Sequence, residues 1–121
     1  MNSNVYNQEH TLIIKNSKFI CLIKSVSNLE EVEHILSQIK HEHKKATHFP
    51  YAYIINNNIK KSDDKEPLNT AGLPILNVLQ KKELNNILCI VIRYFGGTKL
   101  GHGGLIRAYS KAVSESLKKQ L

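Results

Sequence analysis

The sequence predicts an α+β fold: a two-layer sandwich with a mixed sheet of four to five strands and helices packed on one face. Three observations lead there. Short strand-like runs open the chain, an apolar stripe of helical period follows them, and the second half reads helix, strand, helix.

The elements follow in order. Residues 11–14 and 19–26 read as two strands joined by a tight turn over 15–18. A helix then starts near Ser27, where Ser27 and Glu30 have the spacing of a capping box. Leu29, Val32, Leu36 and Ile39 recur at helical spacing and give it one apolar face. Its acids, Glu30, Glu31 and Glu33, come early, and Lys40, His41 and His43 come late, as the helix dipole favours. Residues 51–55 read as a third strand, with 59–62 pairing back across Asn56-Asn57-Asn58. After an acidic loop, Pro74 fits the first turn of a second helix that carries Ile75, Leu76, Val78 and Leu79 toward a core. Residues 87–92 are apolar throughout, as a central strand requires. A glycine-rich segment leads into the last helix, expected over 103–119. Leu105, Ala108, Tyr109, Ala112, Val113 and Ser116 share one side of it, and Arg107, Lys111 and Lys118 share the opposite, solvent-facing side.

Composition narrows the function. The chain has 121 residues, enough for one domain with its own core, and its 41% hydrophobic and 22% charged residues exclude a disordered tail. No apolar run approaches the ~20 residues of a membrane span, and the first ten residues lack the apolar centre of an export signal. Cys21 and Cys89 lie in apolar runs and read as buried, reduced thiols, which points to a cytoplasmic protein. The net charge is +7, and it is uneven: residues 1–60 carry seven basic and five acidic side chains, residues 61–121 ten and five. Such an excess points to an anionic partner.

Two segments carry candidate chemistry. Five of the six glycines fall within nine positions, between Arg93 and Arg107. Glycine N–H groups and a helix start attract anions, so Arg93, Gly96, Gly97, Thr98, Lys99, Gly101, Gly103, Gly104, Arg107 and Lys111 form the candidate anion or nucleic-acid site. The segment matches neither a Walker loop nor a dinucleotide fingerprint, and the glycines equally serve close packing of loop on helix. The second segment is Ser62, Asp63, Asp64 and Glu66, which reads as a hard-cation site or, the favoured reading, as a structural acidic loop, solvated or pairing with Arg93, Lys99 or Arg107 across the fold. His48 and His102 stand alone, and Tyr94, Phe95 and Tyr109 read as core, which leaves little for base stacking. No catalytic set of residues is read, no metal ligand set, and no cofactor motif.

The motifs resemble a known family. Ala46-Thr47-His48, Tyr51-Ala52-Tyr53, Ser62-Asp63-Asp64, Glu66-Pro67, Thr70-Ala71-Gly72, Pro74-Ile75-Leu76, Arg93-Tyr94-Phe95-Gly96-Gly97, Lys99-Leu100-Gly101, Gly103-Gly104-Leu105 and Arg107-Ala108-Tyr109 look like the IMPACT N-terminal domain, the family that includes bacterial YigZ-type proteins. Ser17-Lys18-Phe19-Ile20 extends the likeness toward the start. The resemblance implies a fold like the second domain of ribosomal protein S-five, whose relatives in elongation factor G and ribonuclease P act on ribosomes or RNA. It also implies translation control, since eukaryotic members compete for an activator of an amino-acid-starvation kinase. It implies no agreed catalytic residue. YigZ-type proteins usually continue into a ferredoxin-like domain, so residues 1–121 are expected to be the N-terminal domain alone. Four positions depart from the pattern: Lys65 replaces a glycine, Leu68-Asn69 a small pair, Phe49-Pro50 a polar pair and His102 a small residue.

Charge, fold and resemblance together give the expected function: a non-enzymatic regulatory domain bound to RNA or the ribosome in translation or stress regulation. Two alternatives stay open. One is a protein-binding regulator that meets an acidic partner; the other is an enzyme or binder that holds a phosphorylated small molecule in the glycine loop.

Overall fold

The structure, a computed structural model, describes residues 5–118. Its elements run β1 (Asn7–Ile14), β2 (Ser17–Ser25), α1 (Leu29–Glu42), β3 (Tyr51–Ile55), β4 (Asn58–Ser62), α2 (Gly72–Lys81), β5 (Ile87–Tyr94) and α3 (Gly101–Lys118). The α+β expectation holds, and every expected element is present. The end expected for the last helix, Lys119, lies outside the described residues. None of the described helices is long and apolar enough to cross a membrane.

Both hairpin turns follow from local chemistry. Lys15 and Asn16 join β1 to β2, and Asn56 and Asn57 join β3 to β4; all four have positive φ. Two-residue turns of that kind match the twist of the strands they connect, and asparagine tolerates the left-handed region better than most residues. The α1 cap lies one position later than the sequence spacing gives. Asn28 accepts from the Glu31 N–H at 2.9 Å, and the Glu31 carboxylate reaches back to the Ser27 N–H.

The five strands lie in the order β1-β2-β5-β3-β4. Every pair is antiparallel, where a mixed sheet was expected. The reason is topological. The chain passes from β2 through α1 to β3, a route that would make two parallel neighbours. Instead β5 enters between them and pairs antiparallel with both.

The helices also differ from expectation, because they cover both faces of the sheet. Phe19, Cys21, Ile23, Ile87, Cys89 and Val91 face α2 and α3, packing with Ile75, Leu79, Tyr109 and Val113. Their alternating neighbours Ile20, Leu22, Leu88, Ile90 and Ile92 face α1, packing with Val32 and Ile39. The central strands are apolar on both sides, so each side needs its own cover. Each of these buried aliphatic side chains contributes roughly 1.5–3 kcal/mol by leaving water. Cys21 and Cys89 are free and buried, with sulfurs 3.6 Å apart, as the sequence leads one to expect of reduced thiols. Burial, then the Cys21 hydrogen bond, push the Cys89 thiol pKa well up.

Candidate functional site

Residues of the acidic loop turn their oxygens in different directions. Asp63 caps α2 from outside it: Oδ1 accepts from the N–H groups of Ala71 and Gly72 at 3.1 and 2.8 Å, and Oδ2 from Asn69 at 2.8 Å. Asp64 holds the strand entering β3, accepting from the Phe49 N–H at 2.6 Å. Ser62 Oγ accepts from the Asp64 N–H at 3.1 Å. Glu66 turns inward, where its Oε2 accepts from Arg93 Nη1 at 2.7 Å and from the Tyr109 hydroxyl. Among the described residues no three acids, histidines or cysteines gather as a metal site. The bonded oxygens of Asp63, Asp64 and Glu66 thus go to backbone N–H groups, Arg93 and Tyr109, each in its own direction.

Lys65 takes the place of an expected glycine at a costly position. It has φ 72°, next to Asp64 at φ 44°. A side chain in the left-handed region costs roughly 1 kcal/mol that glycine does not incur. Lys65→Gly is therefore expected to stabilise the domain by about 0.5–1 kcal/mol, measured by urea unfolding; a loss of stability would contradict this account of the turn.

Arg93 belongs to β5, and its side chain lies on the α2–α3 side of the sheet. The Arg93 and Glu66 side chains are only 6% and 3% exposed. Besides the Glu66 pair, Arg93 Nη2 donates to Ser17 Oγ at 3.3 Å, and the same oxygen accepts from the Gly96 N–H at 3.1 Å. The guanidinium carbon lies 5.5 Å from both the Phe19 and the Phe95 ring centres, so the charge is held between two aromatic rings. Arg93 Nε has no hydrogen-bond partner among the described residues. Arg93 is thus a paired floor residue, joined to an acid of the loop as one of the expected readings has it. Burial, and then the Glu66 charge, push the Tyr109 phenol pKa up, so it stays protonated as the donor.

Above this floor opens a cleft of about 420 Å³. Thr47, His48 and Pro67 line one wall, and Phe95, Lys99, Gly101 and His102 another, with Glu66, Arg93 and Leu105 beneath. His48 Nδ1 donates to the Asp64 carbonyl at 2.8 Å. In the neutral ring this leaves Nε2 as the unprotonated nitrogen, 3.7 Å from Glu66 Oε1.

The glycines divide by cause. A Cβ on Gly96 would lie 2.1 Å from the Asn16 carbonyl carbon, so close approach of the β1–β2 turn requires glycine there. Gly97 and Gly101 need positive φ, at 92° and 77°, and have open space where a Cβ would stand. Gly103 and Gly104 lie inside the first turn of α3, which begins two residues before the expected start. Thr98 and Lys99 are exposed.

The outer stripe of α3 is as expected. Arg107, Lys111 and Lys118 are all exposed, and Lys111 reaches Glu115 only at 3.9 Å. Arg107 bends back over Gly103. Sequence reasoning assigned no role in this site to Ser17, Thr47, His48, Phe95, His102 or the Tyr109 hydroxyl. It read Phe95 as core, yet Phe95 is 48% exposed because it lies just past the end of β5, where the strand alternation stops.

Comparison with known proteins gives consistent results. A family model described as the Impact N-terminal domain matches residues 15–117. The chain is 50% identical over 112 residues to the IMPACT family member YvyE of Bacillus subtilis (strain 168), covering 90% of this chain and 52% of that protein. The chain thus spans about half the length of the curated bacterial relatives it matches. A crystal structure of a hypothetical protein superposes with TM-score 0.90 at 31% identity, covering 94% of this chain and 58% of the other. The two-domain translational regulator Yih1 superposes with TM-score 0.58 at 18% identity, covering 98% of this chain and 48% of that one, a likeness of fold.

Proposed function

Because the chain belongs to the Impact N-terminal domain family, we propose that it is a cytoplasmic, non-enzymatic binding domain of translation control that attaches to RNA, alone or in the ribosome. The observation that carries this reading is the exposed stripe Arg107, Lys111 and Lys118, which runs along α3 away from the cleft at its start. A row of unburied cations on a rigid helix suits a phosphate backbone. Lys81 at the end of α2 and Lys82 just past it, both exposed beside the α2–α3 groove, extend the same charge. The description of Yih1 as a translational regulator supports the same direction.

The reading makes a quantitative expectation. Affinity for RNA or ribosomes falls steeply with salt, with a log–log slope of roughly 0.7–0.9 per phosphate neutralised. Replacing Arg107, Lys111 and Lys118 together by Ala, all on the solvent side, lowers that slope by about two units while leaving the melting temperature near that of the parent. Filter binding across a salt series measures both. Salt-independent binding, or none at low salt, overturns the reading. Capture of one acidic protein that survives nuclease treatment would move the same face to a protein partner.

A further inference from the structure

We infer that the cleft at the start of α3 is a nucleotide site, taking one nucleoside 5′-phosphate with its phosphate on the helix start and its base against Phe95. This deepens the proposed RNA-binding reading and rests on it for the source of the nucleotide.

The phosphate end has three supports. The first N–H groups of any helix lack intrahelical partners, and α3 begins Gly101-His102-Gly103-Gly104 with no acid in its first turn. Gly101 lines the cleft with open space at its Cα, so a ligand oxygen can approach the backbone. Lys99 and His102 line the same wall, and Lys99 is exposed with a full positive charge. Among the described residues Glu66 is the only acid lining the cleft, and it is paired with Arg93 and hydrogen-bonded by the Tyr109 hydroxyl.

The floor of the cleft also contains an incompletely satisfied group. Arg93 lines it while only 5% exposed, and its Nε lacks a partner among the described residues. Burying a polar nitrogen of a charged group without a partner is costly, and it leaves the Arg93 guanidinium incompletely satisfied beside the Phe95 ring.

The base end rests on Phe95. Its ring is backed by the Arg93 guanidinium and stands 48% exposed at the cleft, next to the apolar surface of Pro67, Leu100 and Leu105. An aromatic ring fixed on one side and open beside a cation is the arrangement on which bases stack. The volume, about 420 Å³, falls in the range of roughly 300–1,000 Å³ typical of small-ligand sites. Inorganic phosphate alone would leave this apolar wall unused.

The test titrates AMP, adenosine and inorganic phosphate into ¹⁵N-labelled protein, together with a hexanucleotide carrying either a 5′-phosphate or a 5′-hydroxyl. AMP is expected to shift the amide resonances of residues 95–105 saturably. Adenosine and phosphate should bind about tenfold or more weakly. Phe95→Ala and Lys99→Ala should each weaken AMP about tenfold, with the remaining spectrum unchanged. Tighter binding of the 5′-phosphorylated hexanucleotide at the same resonances identifies an RNA end as the source; entry of AMP alone identifies a free nucleotide. No saturable AMP shift in 95–105, or full affinity in Phe95→Ala, overturns the inference. If RNA binding then keeps its salt slope, the proposed function stands without it.

Discussion

Glu66→Ala is expected to destabilise the folded domain by about 3–5 kcal/mol, the largest single-residue effect on the cleft side of the sheet. Two groups lose their partner at once. The Arg93 guanidinium, buried between Phe19 and Phe95, loses its counter-charge. The Tyr109 hydroxyl, on a side chain with no exposure, loses its acceptor. The cost is mostly that of an unpaired buried charge, and this makes the double variant informative. Glu66→Met with Arg93→Met removes both charges, and it should be far less destabilised than the sum of the two single changes. Urea unfolding of Glu66→Ala and of the four proteins of the Met cycle measures this. A Glu66→Ala loss below about 1 kcal/mol would mean the pair is as weak as a surface salt bridge and would sink the account of the floor.

Gly96→Ala is expected to cost about 3 kcal/mol or more, although it adds a single methyl group. The new carbon would meet the Asn16 carbonyl carbon at 2.1 Å, its oxygen at 2.2 Å and the Ser17 nitrogen at 2.5 Å. All three are backbone atoms of a two-residue turn, so no side chain can swing aside. Relief requires the β1–β2 hairpin to retreat from the glycine loop. Ser17 Oγ would move with it, and that oxygen bridges the Gly96 N–H and Arg93 Nη2. Gly97→Ala provides the control. Its position has open space but φ 92°, so the cost there is backbone strain of about 1 kcal/mol. Thermal unfolding of the two variants should rank Gly96→Ala well below Gly97→Ala. The reverse order would show that strain, not contact, governs this loop.

The sequence revealed the elements because their signals are local. Asn-rich and Lys-Asn turns, the apolar stripe of α1 and the unbroken apolar run of β5 each depend on neighbours within one element. Side of the sheet and strand order do not. The stripe Val32 to Ile39 says that α1 has a buried face, but not which face of the sheet it covers. The insertion of β5 between β2 and β3 depends on pairings far apart in sequence.

The site was legible in outline for the same reason. Glycine loop, helix start and basic stripe are contiguous, and all three stand near where their spacing put them. The Glu66–Arg93–Tyr109 cluster joins three distant segments, and pairing across them leaves no local signature. One clue was available: Arg93 continues the β5 alternation on the side that buries Val91 and Cys89, and a buried arginine requires a carboxylate. Three acids lay in the loop, and the choice of Glu66 among them depended on two tight turns set by Asp64 and Lys65.

The place of β5 also sets an order on how the chain matures. β1–β2 and β3–β4 are hairpins that close within microseconds of becoming available. Until residues 87–94 exist, however, they have nothing to join them, and the inner edges of β2 and β3 stay open. Among the described strands the central one comes last in the sequence. A growing chain therefore carries two half-sheets that become one cooperative unit only when residues 87–94 emerge, and the interval before that is when its unpaired edges are most exposed to other chains.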